Sequence, residues 1–444
     1  MKRKISPYLL IILGFLTIIL LGTGLLLLPF ATKSGYQLSF VDAFFTATSA
    51  VCVTGLVSVE SIASVFSVFG KTVIILLIEI GGLGFVTVAI FVFTLIGLKI
   101  GIQDRFLIKE SLNQNSLKGM VKLVRITVFT TLIIQTIGAL INFIVFRLEY
   151  PFWQALGVSF FHSISAFNNA GFDIFTNGNS MIGYQDNVLL SLNTAFLIIL
   201  GGIGFIVIYD VLRKKKWKLL SIHSKIVIKT TLFLIVFGTL IVKIFEQSNV
   251  TWLQAFFSSV AARTAGFAVV DFTTFTTSSL LIIMMLMFIG ASPASTGGGV
   301  KTTTFFTITK YITSFSLGKA PVVYNRHINN NSIIKAFILV VLSIVYIAII
   351  IVLISFIERF NSRIVENNYQ VFTKITFEVF SAFGTVGNSM GITANLHPLS
   401  KLLLAVTMFF GRLGPITILS SWNKHWNVDP MSKIKYVDER IIIG

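Results

Sequence analysis

The sequence predicts an all-α integral membrane protein of four tandem repeats, each a span, a re-entrant half-helix and a second span, giving eight transmembrane helices around a pseudo-fourfold axis. Three observations predict it: eight apolar stretches near membrane length, four glycine-bearing breaks at matching places among them, and basic residues gathered in every second connection.

The apolar stretches come first. Of 444 residues 55% are hydrophobic and 12% charged, whereas soluble domains carry roughly 25% charged residues. A helix needs about twenty apolar residues to cross the hydrocarbon core. Such stretches occupy 8–30, 72–98, 121–146, 188–212, 226–245, 280–289 with an interrupted continuation, 333–357 and 399–420. The first follows Lys2, Arg3 and Lys4. Its apolar run exceeds the ~7–15 residues of a signal-peptide core and no small-x-small cleavage site follows, so it reads as a permanent span.

The net charge of +18 raises the question of nucleic acid, and its distribution answers it. Basic residues crowd the N-terminus, the connection with Lys99, Arg105, Lys109, Lys118, Lys122 and Arg125, the run Arg213, Lys214, Lys215, Lys216 and Lys218, then Lys310, Lys319, Arg326 and Lys335, and the tail with Lys424, Lys433, Lys435 and Arg440. Every second connection is therefore basic, as cytoplasmic loops are, and both termini are expected in the cytoplasm. Asp42, Glu60, Glu149, Asp173, Asp186, Asp271, Glu358, Glu366 and Glu378 fall on the other side and are expected to give it a cation-attracting field. Nucleic-acid binding is not needed to explain the charge. Cys52 is the sole cysteine, which excludes an internal disulfide and reads as a small buried side chain.

The breaks are SAVCVTGL (49–56), SAFNNAGF (165–172), VAARTAGF (260–267) and SAFGTVGN (381–388), with glycine seventh in each: Gly55, Gly171, Gly266 and Gly387. The preceding segments VDAFFTAT, FWQALGVSFFHSI, WLQAFFSS and KITFEVF suit two or three helical turns, too short to span. A second landmark lies in each following span: GGLG (81–84), GGIG (201–204), GASP (290–293) and GRLG (411–414). The repeats are accordingly bounded at 1–110, 111–220, 221–320 and 321–422, with a tail at 423–444.

Non-helical backbone at membrane depth survives only where protein buries it or it lines a water-filled cavity. Four such loops imply a shared cavity on the repeat axis. Glycine takes positive φ without a Cβ clash, so consecutive carbonyls can be turned toward that axis, where they replace water around a cation. Each half-helix then points its negative C-terminal dipole end inward. A competing reading makes hard side-chain oxygens of Thr54, Asn168, Asn169, Thr264 and Thr385 the ligands. Arg263, awkward beside a cation, is expected behind its loop, paired with an outer acid.

The third copy differs. After its span comes ASPASTGGGVKTTTF, 291–305, where Pro293 and the glycines Gly297, Gly298 and Gly299 break the helix at membrane depth. That loop is expected below the four breaks, obstructing passage. In the fourth copy Arg412 stands where the others have Gly82, Gly202 and Ala291. An intramembrane charge normally faces the bundle interior, so Arg412 is expected to donate to carbonyls of the 295–299 loop and complete a gate; snorkelling to the cytoplasmic interface is the alternative. Glu79 is a second intramembrane charge, read equally as paired with a polar neighbour or as part of transport.

An enzyme is disfavoured: the histidines at 162, 223, 327, 397 and 425 form no metal-binding pair, and in GGGVKTT a valine separates Lys301 from the glycines, unlike a phosphate loop. An alternating-access, sodium-coupled carrier would use inverted repeats, but each copy here holds two spans, so all four run in the same sense.

On TSAVCVTGL, HSISAFNNAGF, RTAGF, SAFGTVGNSMG, ASPASTGGGVKTT and GRLGP the chain resembles, over nearly its whole length, the Trk/Ktr/HKT superfamily of potassium transporters, in particular the KtrB-type membrane subunit of bacterial Ktr systems. The resemblance implies potassium uptake at the cell membrane, a homodimer with one pore per subunit, and a cytoplasmic KtrA-like ring of RCK subunits that carries the regulatory nucleotides. It implies no bound cofactor on this chain besides potassium, and often sodium dependence. Carried over by position, the potassium filter comprises Val51, Cys52, Val53, Thr54 and Gly55; Asn168, Asn169, Ala170 and Gly171; Arg263, Thr264, Ala265 and Gly266; and Gly384, Thr385, Val386 and Gly387. The gate comprises Ser295, Thr296, Gly297, Gly298 and Gly299 with Arg412. Sodium-selective plant relatives have serine at the first filter glycine, so Gly55 favours potassium. The third break departs by having Val-Ala-Ala where the others have Ser-Ala. The basic connections and the tail after Trp422 offer docking surface for the ring, and they equally satisfy the positive-inside rule with no partner.

Overall fold

The computed structural model describes residues 7–98, 119–175, 180–361 and 367–415, with 100, 101, 107 and 110 between the first two stretches. Lys2, Arg3 and Lys4, Lys99, Arg105, Lys109, Lys118, Glu366, the end of the last predicted span and the tail at 423–444 lie outside the described residues.

The helices in chain order are α1 (Pro7–Leu26), α2 (Phe40–Val51), α3 (Ile62–Val65), α4 (Val68–Leu83), α5 (Phe85–Leu95), α6 (Met120–Phe146), α7 (Phe152–Phe167), α8 (Val188–Ile203) and α9 (Phe205–Lys214). They continue as α10 (Ile222–Glu246), α11 (Trp252–Ala261), α12 (Thr277–Phe288), α13 (Thr302–Ser316), α14 (Asn330–Glu358), α15 (Asn368–Gly384) and α16 (Pro398–Leu413). Between α13 and α14 a small hairpin pairs β1 (Val322–Val323) with β2 (Arg326–His327).

Among the described residues four helices, α1, α6, α10 and α14, are each long and apolar enough to cross a membrane. Their polarity is turned inside out, as a lipid solvent requires. On α6, Ile133, Ile137, Leu140 and Ile144 face outward, while Thr127, Thr131, Gln135 and Asn142 are buried. The predicted half-helices are α2, α7, α11 and α15, of 12, 16, 10 and 17 residues, so the second and fourth run longer than two or three turns. Local sequence starts them. Ser39 accepts from the Asp42 N–H, Thr251 and Gln254 form a capping box, Asn367 accepts from the Tyr369 N–H, and Pro151 stands at the N-cap of α7. Ser67, Asn187, Thr276 and His397 cap α4, α8, α12 and α16 in the same way.

The second predicted spans of repeats one and two are not continuous. Each turns through 96° after GGLG or GGIG, at Gly84 (φ 80°) and Gly204 (φ 98°), where a side chain would strain the backbone. The landmark was visible in the sequence; its role as a corner was not. In the third copy the chain breaks at Pro293 and Ala294 (φ 54°), as expected of 291–305.

Packing between repeats is cyclic. The helix after each break leans on the half-helix of the next repeat: α4 on α7, α8 on α11, α12 on α15, and α16 back on α2. Repeats three and four each carry the same internal tie. Glu246, closing α10, accepts from the Thr276 N–H that opens α12 (2.8 Å), and Glu358, closing α14, accepts from the His397 N–H that opens α16 (3.0 Å).

Candidate functional site

Each break has the same backbone. Positive φ occurs at the fifth and seventh places, Val53 (57°) and Gly55 (93°), Asn169 (61°) and Gly171 (69°), Thr264 (81°) and Gly266 (70°), Thr385 (50°) and Gly387 (97°). A left-handed residue every second place swings back the carbonyl that an extended chain would point away, so successive oxygens share a side. The glycines were legible; the fifth places were not, because valine and threonine seldom adopt this conformation.

What holds the breaks differs by one hydroxyl. Ser49 and Ser381 accept from the N–H of Gly55 and Gly387, both at 3.0 Å, and Ser165 instead donates to the Phe172 carbonyl at 2.7 Å. The third copy has Val260 at that place, and there the Gly266 N–H goes to the Ala261 carbonyl at 3.3 Å. This accounts for the Val-Ala-Ala departure: α11 ends one residue sooner within its break than α2 and α7 do.

The four breaks form a closed ring. A Cβ on Gly55 would lie within 3.0 Å of the Ala170 carbonyl oxygen, on Gly171 of the Ala265 oxygen, on Gly266 of the Val386 oxygen, and on Gly387 of the Thr54 oxygen. Each glycine thus admits the sixth-place carbonyl of the next copy, and the fourth closes on the first. The second landmark supports the ring from behind, since Gly81, Gly201 and Gly411 lie against the Val51, Phe167 and Phe383 carbonyls.

Several side chains of the breaks are occupied elsewhere. Asn168 donates to Glu79 Oε2 at 2.6 Å, and Gln135 donates to the same oxygen at 2.8 Å, so Glu79 braces the second break from the first repeat. The Asn169 amide hydrogen-bonds Thr264 Oγ1 (2.9 Å) and Thr296 Oγ1 (3.3 Å). Thr385 Oγ1 accepts from the Gly298 N–H at 2.8 Å, while Thr54 Oγ1 is buried without a partner. Arg263 is 7% exposed and lies behind its loop, as expected, but its partner is the Gly290 carbonyl at 3.3 Å rather than an acid. The aliphatic wall of Ile198, Ile199, Ile235 and Val260 around it leaves a carbonyl as the acceptor within reach. Cys52 is fully buried.

The 291–299 loop lies directly against the ring. Thr296 meets the second break through Asn169, Gly297 lies against Thr264 Oγ1 of the third, and Gly298 bonds Thr385 of the fourth. Arg412 donates to the Thr296 carbonyl, and its second nitrogen reaches the carbonyls of Gly81 and Gly82, the latter at 3.1 Å. It therefore faces the bundle interior. Lys301, which sequence reasoning weighed only as part of a phosphate loop, donates to the Gly297 carbonyl at 2.6 Å.

Cavities open on both sides. One of about 330 Å³ is lined by all four seventh-place glycines together with Glu60, Asp173 and Asp271. Burial pushes the Asp173 carboxyl up to about 6, against a hydrogen bond from the Phe175 N–H. The other, about 130 Å³, is lined by Ser295, Gly297, Lys301 and Arg412 with Gly82, Gly84, Tyr8 and Glu110. Three acids thus line the first cavity, while the second sets two bases, Lys301 and Arg412, beside one acid, Glu110. Several of the acids expected to make an outer field are instead engaged within the fold. Asp42 is paired with Lys401 (2.9 Å), Glu149 accepts from Tyr184 (2.5 Å), Glu358 ties α16, and Glu378, 1% exposed, binds Ser389, the Met390 N–H and Thr393. Polar groups in the turns outcompete water for these carboxylates.

Comparison with known proteins gives one answer. The model of the TrkH family, described as a cation transport protein, matches residues 7–429. The Ktr system potassium uptake protein B of Bacillus subtilis is 38% identical, covering 99% of this chain and 97% of its own. The potassium/sodium uptake protein NtpJ of Enterococcus hirae is 36% identical, covering 100% and 98%. Among solved structures, the potassium transporter TrkH of Vibrio parahaemolyticus superposes with a TM-score of 0.69 at 19% identity, over 96% of this chain and 87% of that one.

Proposed function

Since this chain belongs to the TrkH family of cation transport proteins, we propose that it mediates potassium uptake across the cell membrane through the ring of four breaks. The observation that carries this reading is the closed ring itself, in which each seventh-place glycine admits the next copy's carbonyl. Backbone oxygens turned to one side of such a ring replace the hydration shell of a cation. The filter is Val51 to Gly55, Asn168 to Gly171, Arg263 to Gly266 and Gly384 to Gly387. The engagement of Asn168, Asn169, Thr264 and Thr385 side chains with neighbours supports carbonyls over side chains as the ligands.

The 295–299 loop with Arg412 acts as the gate, between an outer mouth lined by Glu60, Asp173 and Asp271 and an inner one where Lys301 and Arg412 stand with Glu110. Eight spans surround the pore in four repeats at 1–110, 111–220, 221–320 and 321–422, the chain being a multi-pass plasma-membrane protein with cytoplasmic termini. The cyclic lean of helix on half-helix supports a same-sense arrangement and disfavours the inverted repeats of an alternating-access carrier. Relatives are described as proteins of a Ktr system, which supports a regulatory partner here: a KtrA-like ring of RCK subunits carrying the nucleotide, with the transporter as a homodimer.

The test is complementation of a potassium-uptake-deficient strain on low potassium. The chain is expected to restore growth, and deletion of 295–299 to raise flux; a deletion that assembles normally and only lowers flux refutes the gate.

A further inference from the structure

Lys301 stands in the wrong place for a capping residue. Its backbone is the N-cap of α13 (φ −69°, ψ 145°), yet its side chain makes no cap hydrogen bond. N-caps favour Ser, Thr, Asp and Asn, and a cation at the positive end of a helix dipole is repelled. The side chain instead turns back to donate to the Gly297 carbonyl at 2.6 Å and reaches the Gly298 carbonyl at 3.5 Å. The neighbouring Thr296 carbonyl is held by Arg412 from α16. Two adjacent carbonyls of one loop are thus gripped by cations from two different elements. The root of α13 is pinned to the same strand of chain: the Thr302 N–H donates to the Ala291 carbonyl at 3.3 Å, and the Ser292 and Thr302 hydroxyls are 2.9 Å apart.

We propose that Lys301 is a second latch of the loop, a positioning residue that ties it to α13, so that displacement of α13 frees the 295–299 segment. The inference rests on the reading of that segment as the gate. α13 is suited to transmit such a movement. It packs on α10 and α14, which contribute no residue to the ring, and it leads into the β1–β2 hairpin, where the Tyr324 ring lies 5.4 and 5.3 Å from the ammonium groups of Lys225 and Lys229 on α10. A force applied at the hairpin reaches Lys301 through one helix. Arg412, fixed to Gly81 and Gly82 as well as to the loop, stays behind. The opening movement therefore separates the two latches.

The experiment measures potassium flux into liposomes and, in parallel, the rate at which a cysteine-specific reagent applied from the Lys301 side labels Ser295→Cys, with the chain lacking that substitution as the blank for Cys52. Loss of a charge-assisted hydrogen bond is expected to shift the open-to-closed ratio roughly tenfold. Lys301→Met should raise both flux and labelling, and Lys301→Arg should return both toward the parent. Higher flux with unchanged labelling overturns the latch, because removal of a repelling charge alone would do that. Unchanged flux in Lys301→Met, when Arg412→Ala raises it, also overturns the latch and leaves the gate standing. If neither variant alters flux, the gate itself is contradicted along with the latch. Should Lys301→Met not assemble, Lys301→Gln is read against the same outcomes.

Discussion

Gly387 lies against the carbonyl of Thr54, so the last of the four breaks meets the first. A Cβ at 387 has nowhere to go: the nearest atoms are backbone, and the residue's φ is 97°. Gly387→Ala therefore strains its own chain and displaces a ring oxygen. Overpacking of this kind costs about 1–3 kcal/mol, and each 1.4 kcal/mol is about tenfold in an equilibrium. Selectivity for potassium over sodium is expected to fall by about tenfold or more, while Gly24→Ala, at a glycine with open space around it, leaves it unchanged. Paired ion-flux measurements on the two variants check this.

Glu79 sets the second break through Asn168. Glu79→Ala removes the acceptor that the Asn168 and Gln135 amides share, Asn168 keeping only its bond to the Ile164 carbonyl at 3.0 Å, and a buried donor left unmet costs about 1–3 kcal/mol. The variant is expected to lose selectivity before it loses assembly, and Glu79→Gln, which keeps an acceptor oxygen, to retain more of it. Equal selectivity in Glu79→Ala and the parent would contradict the brace.

Glu60, Asp173 and Asp271 line the cavity that holds all four seventh-place glycines, and on the proposed reading they concentrate cations at an outer mouth. Fields of this kind raise encounter rates and weaken with ionic strength. Neutralising all three with Gln and Asn should reduce uptake at low potassium and low salt, with the deficit closing as salt rises. A deficit independent of salt would mean that the carboxylates act structurally.

Asp42 and Lys401 join the first and fourth repeats at 2.9 Å, and Lys401 also donates to the Ser58 carbonyl at 3.2 Å. Burial by itself raises the Asp42 carboxyl, but hydrogen bonds from Ser39 and Lys401 outweigh it and hold the group below its usual 3.8. A carboxyl whose folded value lies below its unfolded one contributes fully above the unfolded value, and that contribution is lost as pH falls through the folded value. Asp42→Asn should cost about 1.5–3 kcal/mol near neutral pH and lose its effect in acid below 3.8. Thermal unfolding in detergent across that range is the check; an equal loss at every pH would contradict the pair's role.

Much of this arrangement was legible because it is written in glycine. Gly55, Gly171, Gly266 and Gly387 repeat in register, and Arg412 stands out where three copies carry small residues. What could not be read depends on long-range partners. Val53 and Thr264 take positive φ because the ring imposes it, not because their side chains favour it. Gly84 and Gly204 turn helices whose hydropathy runs straight through them. Arg263 finds a carbonyl instead of an acid, and Glu378 is consumed by its own turn, because pairing is decided by distances that apolar patterning does not encode. Lys301 was hidden by a superficial likeness to another motif, while its position at a helix N-cap was the signal that it serves something else.

Whether the four breaks select the ion is decided by tracer flux into liposomes holding the purified chain, with potassium and sodium compared side by side for the parent and for Gly55→Ser. The parent is expected to pass potassium in preference to sodium, and the serine variant to lose that preference. Equal preference in the two proteins would contradict a filter built from the four glycine-lined carbonyls.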